Sequence, residues 1–178
     1  ARSSVQLQAA DRGLVRGAIR VRGTGVQRLS VQSEGLPAAV SNPVQVTADG
    51  SGLRLFWGDL HAHTGLSDGV GTPAEAYQFA REMACLDFCA LTDHDTMLDE
   101  ASWEQTRRAA AEHSDPLRFI TFLGYEYTGR RNGGDRAVYY PADTGPLLRS
   151  QDSQHDGPLE LFAALGELEA LVVPVHPA

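Results

Sequence analysis

The 178-residue chain carries 15 basic against 23 acidic residues, a formal charge of −8, so no broad electrostatic attraction to nucleic acid or to an anionic membrane is expected. Its 42% hydrophobic content is ordinary for a globular protein, and no apolar run approaches the roughly 18–20 residues of a membrane span. Two cysteines, Cys85 and Cys89, are too few for a disulfide scaffold; flanked by apolar residues, they read as buried free thiols. The chain opens ARSSV, without a signal-peptide pattern, which leaves localisation open.

Residues 1–52 contain short runs (VQLQA, GAIRVRG, QRLSVQ, NPVQVTA) punctuated by Gly, Asp, Ser and Pro, the pattern of short strands and turns. They are read as a β-rich segment, with the TADGSG stretch at 47–52 as the linker to the main domain. From Leu53 the pattern changes to strand, loop, helix, repeated. LRLFWGDL predicts the first strand and HAHTGLSDGVG the loop after it. Thr72, Pro73 and Glu75 have the spacing of a capping box with proline at the first helical position. LDFCAL predicts the second strand, residues from about Asp99 to Glu112 the second helix, and RFITFLGYE the third strand. An irregular insert from Thr128 to Gly157 precedes a helix over LELFAALGELEA and a last strand, LVVPV. Such repeats imply an α/β domain with parallel strands and right-handed crossovers.

Every one of these strands ends in a polar cluster. If the strands are parallel, His61, His63, His94, Glu126 and His176 gather at one rim, the end where α/β sheets place their chemistry. His61 and His63, two apart on an extended strand, point the same way. Imidazole combined with the carboxylates of Asp68 and Glu126 suits zinc, manganese or iron better than calcium, and the lack of thiolate argues for an open hydrolytic site over a closed structural one. The bland reading of Asp68 is a turn-forming residue before Gly69. His113 and His155 are expected to be solvated, and Trp57 and Trp103 to pack in the core.

GDLHAHTGLSDG, LTDHD, GYEYT and the later HP, in that order, resemble the polymerase and histidinol phosphatase (PHP) domain superfamily over residues 53–178. The resemblance implies a distorted (β/α)7 TIM-like barrel whose rim holds two or three divalent metals (Zn, Mn or Fe) and hydrolyses a small-molecule phosphate ester. By position it makes His61, His63, Asp68, His94, Glu126 and His176 metal ligands, with Glu126 bridging. Asp93 would orient His94 or an attacking water. The resemblance also puts a histidine ligand in relatives where this chain has Asp135. Arg130, Arg131 and Arg136, in a Gly-rich loop, offer forks for a substrate phosphate. A complete barrel of this kind needs on the order of 200–250 residues and a further Asp-x-His near its last strand. The chain is therefore expected to be the N-terminal part of a larger PHP-like protein. A non-phosphate, amidohydrolase-like reaction, or a non-catalytic metal- or partner-binding fragment, are the alternatives.

Overall fold

A computed structural model describes residues 4–11, 13–15, 17, 19–48, 53–129, 134–166 and 168–176. The chain divides into two compact units, Ala1–Leu55 and Phe56–Ala178. In the first, β1 (Gly25–Gln27) pairs antiparallel with β4 (Val44–Val46), and β2 (Ser30–Val31) pairs antiparallel with β3 (Ala39–Val40). VQLQA is not a strand, and no strand forms among the described residues of GAIRVRG. Most of the proposed linker, 49–52, lies outside the described residues.

The second unit is a five-stranded sheet in the order β5 (Gly58–Ala62), β6 (Phe88–Leu91), β7 (Ile120–Tyr127), β8 (Arg136–Tyr140), β9 (Leu171–Pro174). β5, β6 and β7 are parallel, as expected. The insert departs from expectation, because Arg136–Tyr140 is a strand, antiparallel to both β7 and β9. RAVYY is a short run of bulky residues between turn-rich stretches, and its pairing with Leu123–Tyr127 covers the half of β7 that is buried on both faces. Because β9 reverses direction again, it runs the same way as β5–β7. The rim prediction therefore survives with an antiparallel strand interposed.

Among the described residues three α-helices accompany the sheet. α1 (Pro73–Glu82) begins at the predicted capping box, in which Thr72 Oγ1 accepts from the Glu75 N–H and the Glu75 carboxylate accepts from the Thr72 N–H. α2 (Glu100–His113) is capped by Asp99, whose carboxylate accepts from the Ser102 N–H at 2.8 Å. α3 (Pro158–Leu165) is shorter than LELFAALGELEA suggests, since it ends at Gly166. Gly lacks the side chain that would support another turn.

Period-two alternation divides the sheet into two faces. Leu123, Tyr125, Tyr127, Val138 and Tyr140 form one core with Leu98, Trp103, Leu161 and Leu165; Cys89 and Leu91 join Tyr77, Ala80, Ala109, Ala110 and Phe119 in another. Both lie on the helix side. The opposite face carries Ala90, Ala137 and Tyr139, with Phe122 and Val175 against them. By alternation Gly124 and Glu126 fall on this second face too. The Tyr139 hydroxyl on β8 donates to the Leu60 carbonyl on β5 at 2.6 Å. Three strand spacings of a flat sheet would separate those strands by about 14 Å, more than a tyrosine spans, so the sheet is curled about this face. Gly124 makes room: a Cβ there would lie 2.8 Å from the Val138 carbonyl oxygen and 3.0 Å from the Tyr139 ring. Among the described residues β5 and β9 remain the sheet's edges.

Trp103 packs in the core as expected, edge-on to Tyr125 at 5.6 Å. Trp57 does not, being 39% exposed just before β5. Cys89 is buried but Cys85, in the turn after α1, is exposed. His155 and His113 are part-buried rather than solvated: the Tyr127 hydroxyl donates to the His155 carbonyl at 2.6 Å, and His113 stacks on Tyr77.

Candidate metal centre

Glu126 lies on the concave face near the end of β7. Register places it beside His94 on one side and Ala137 on the other. Its neighbours in sequence are buried tyrosines, and the carboxylate is itself fully buried. Four imidazoles surround it. His63 Nε2 is 3.0 Å from Oε2, His61 Nε2 and His94 Nδ1 are each 3.6 Å from Oε2, and His176 Nε2 is 3.7 Å from Oε1. None of these contacts has hydrogen-bond geometry, and both carboxylate oxygens, like His63 Nε2, are buried without a hydrogen-bond partner. Burial of an unsatisfied polar atom costs free energy, and far more when it is charged, so such atoms usually meet a partner.

The six residues fall into two groups whose ligand atoms lie within 4.8 Å of one another and could hold a metal ion: His61, Glu126 and His176, and His63, Asp68 and His94. His61 on β5 and His176 just after β9 come from opposite edges of the sheet, yet their ring centroids are 5.3 Å apart. Curling of the sheet brings them together. His176 adopts a left-handed backbone (φ 51°), uncommon for a residue with a side chain. His63 contacts Asp68 through Nδ1 at 2.6 Å, and the Asp68 oxygens span His63 and His94. The hydrogen bond from His63 is the main reason the Asp68 carboxyl titrates below its ordinary value. Burial pushes the His61 pKa down, which favours the neutral ring a metal needs, although the nearby Glu126 pulls the other way.

Asp93 is buried, and its carboxylate accepts from the Thr64 N–H at 2.7 Å, the Thr64 hydroxyl at 2.8 Å and the Ser67 hydroxyl at 2.6 Å. It therefore anchors the loop between His63 and Asp68. Its backbone carbonyl also receives the Glu126 N–H at 3.0 Å. The loop closes through Gly69, where a Cβ would sit 2.2 Å from the His63 carbonyl oxygen. Asp135 accepts from the Gly129 N–H at 2.9 Å and belongs to neither metal-capable group. Arg136 donates to the Gly134 carbonyl at 2.7 Å; Arg130 and Arg131 lie outside the described residues.

Several supporting residues escape a sequence reading. Asp95, fully buried, accepts from the backbone N–H groups of Thr128 and Ser150, tying the rim to the segment before α3. Thr92 Oγ1 lies 2.9 Å from His61 Nδ1, and Thr128 Oγ1 lies 3.1 Å from His94 Nδ1. The only sequence signal of the two threonines is position, each immediately after a strand.

Fold and rim together define a curled α/β sheet presenting a cluster of histidines and carboxylates that could bind metal. Residues 84–172, half of the chain, match the family described as "Protein of unknown function (DUF3604)", and the chain belongs to that family. No curated protein matches it. Among solved structures it is similar to a protein from Bifidobacterium adolescentis provisionally named as a metal-dependent phosphoesterase, with 26% identity over 47% of this chain and 28% of that one and a TM-score of 0.35. It is similar too to a two-domain protein from Bacteroides vulgatus containing a predicted PHP-like metal-dependent phosphoesterase, at 20% identity over 66% and 34% of the two chains and a TM-score of 0.46. A third is an amidohydrolase from Chromobacterium violaceum with bound sulfate and no metal, at 27% identity over 61% and 37% and a TM-score of 0.37. The chain spans about a third of the length of these structures. Among the described residues no helix is long and apolar enough to cross a membrane.

Proposed function

We propose that this chain carries the metal-binding half of a metal-dependent hydrolase, most closely a phosphoesterase acting on a small-molecule phosphate ester. The observation that carries the reading is Glu126, a fully buried carboxylate with no hydrogen-bond donor and four imidazole nitrogens at 3.0–3.7 Å. Cations satisfy such a donor set where hydrogen bonds do not. His61, His63, Asp68, His94 and His176 would hold two or three divalent ions with Glu126, and nitrogen and carboxylate ligands without thiolate fit zinc, manganese or iron. Such ions supply Lewis-acid activation of water and neutralise charge on a phosphoryl oxygen.

The chain's own residues do the rest. Asp93, held by Thr64 and Ser67, keeps His63 and Asp68 on the rim. The hydroxyls of Thr64, Ser67, Thr92 and Thr128, all in the segments that carry the cluster, are each engaged with a carboxylate, carbonyl or imidazole, which favours attack by water over a covalent intermediate on a side chain. Arg136 would meet a substrate phosphate after exchanging its bond to Gly134. In this reading residues 53–178 are the N-terminal part of a (β/α)7-type domain, and residues 1–52 are a separate β-rich lead.

The test is metal content of the purified full chain, with hydrolysis of bis-(p-nitrophenyl) phosphate, p-nitrophenyl phosphate and p-nitroacetanilide in added manganese or zinc. Bound metal with chelator-sensitive release from a phosphate ester supports the proposal. Release from the anilide alone assigns an amide bond, and a protein that takes up no metal overturns the reading of the rim.

A further inference from the structure

A ligand histidine must offer a lone pair, and which of its two nitrogens does so is set by what the other one touches. His61 Nε2 lies 3.6 Å from Glu126 Oε2; its Nδ1 faces Oγ1 of Thr92 at 2.9 Å. Thr92 follows β6 directly and is fully buried, so water does not compete for its hydroxyl. That hydroxyl has a single proton. The Ala62 carbonyl, a group that can only accept, lies 3.4 Å from Oγ1 and already receives the Thr92 N–H at 2.8 Å. If the hydroxyl proton goes to Ala62, the Oγ1 lone pair is left for a proton on His61 Nδ1. The reverse arrangement, with the hydroxyl donating to Nδ1, would place the imidazole proton on Nε2, the nitrogen that faces Glu126.

We propose that Thr92 is a positioning residue that fixes His61 in the Nδ1–H form, ties its ring to the backbone of the next residue, and thereby presents Nε2 as the metal-binding nitrogen. The inference rests on the metal reading of the rim. Threonine suits the position because branching at Cβ restricts its first side-chain torsion, so the hydroxyl is held where the ring needs it.

The experiment is zinc titration of the full chain against a competing chelator for the wild type, Thr92→Val and Thr92→Ser. Long-range ¹H–¹⁵N spectra of the imidazoles accompany it, with and without zinc. Valine keeps the shape and removes the hydroxyl; serine keeps the hydroxyl. Thr92→Val is expected to weaken zinc binding about 10–100-fold, the usual effect of losing a partner behind a ligand. The His61 signals should then lose the Nδ1–H pattern, and Thr92→Ser should bind close to the wild type. Equal affinity of Thr92→Val and wild type overturns the proposal, as does an equal loss in both variants, which would make the role one of packing. A wild type that binds no zinc defeats the metal reading itself and this inference with it. If Thr92→Val does not fold, the metal-free wild type decides: a proton on His61 Nδ1 supports the proposal, and one on Nε2 overturns it.

Discussion

Replacing Glu126 by glutamine separates a metal ligand from a structural acid, because the two roles predict opposite changes in stability. The carboxylate is fully buried and neither oxygen has a hydrogen-bond partner. An unsatisfied buried group costs about 1–3 kcal/mol, and more when charged. Glutamine keeps the shape, removes the charge and brings an amide that can donate to the imidazole nitrogens around it. The metal-free variant should therefore be more stable than the wild type by about 1–3 kcal/mol. At roughly 2–4 °C per kcal/mol for a chain of this size, that is a rise in Tm of about 2–12 °C. Zinc at a hundredfold excess over its Kd should add about 2.7 kcal/mol to the wild type and little to the variant. Differential scanning calorimetry in chelator and then in zinc measures both. A variant that melts below the wild type in chelator, yet gains as much from zinc, would show that Glu126 is a satisfied core residue and refute the reasoning.

Gly69→Ala must push a methyl against the His63 carbonyl oxygen, 2.2 Å from the ideal Cβ, so we expect a loss of about 1–3 kcal/mol in urea denaturation, with weaker zinc binding because His63 and Asp68 flank the displaced turn. Burial pushes the Cys89 thiol up to about 12, whereas Cys85 is exposed; iodoacetamide at pH 8 should label one cysteine per native chain and two in denaturant, by intact mass. The Ser102 side chain and backbone, hydrogen-bonded to Asp99, hold its carboxyl below the ordinary 3.8. Its stabilisation is thus present above about pH 3.8 and lost as pH falls through the lower folded value. Asp99→Asn should flatten that part of the acid melting profile, and an unchanged slope would remove Asp99 from the account.

The rim was legible because its residues lie in short motifs at strand ends, where direction alone brings them together. HAHT, SDG, TDHD and the glutamate of GYEYT need only parallel strands to converge. Strand β8 was not legible. Arg136–Tyr140 is five residues inside a polar, Gly-rich stretch, and what makes it a strand is the open edge of β7, a property of the tertiary structure. The surroundings of Asp93 were equally hidden, since it bonds Thr64 and Ser67, residues 29 and 26 positions away. Trp57 and Cys85 were misjudged for a related reason. Both are apolar side chains, but each lies outside the regular elements, Trp57 just before β5 and Cys85 just after α1, where it is exposed.

An antiparallel strand interposed in a site built on parallel strand ends does not spoil it; β8 has the opposite effect. By pairing antiparallel with both β7 and β9 it keeps β9 aligned with β5–β7 and adds a strand of width to the sheet. Its Tyr139 then crosses the concave face to Leu60, which requires the curl that sets His176 5.3 Å from His61. Tyr139→Phe deletes that crossing bond and leaves the ring. If the curl depends on the bond, the His61 and His176 side of the rim should loosen while the His63, Asp68 and His94 side, braced by Asp93, stays in place. Imidazole ¹H–¹⁵N spectra of the variant check this, and unchanged His61 and His176 signals would show that packing alone holds the curl. Tyr139, the residue that spans the concave face, thus sits on the strand that no motif announces.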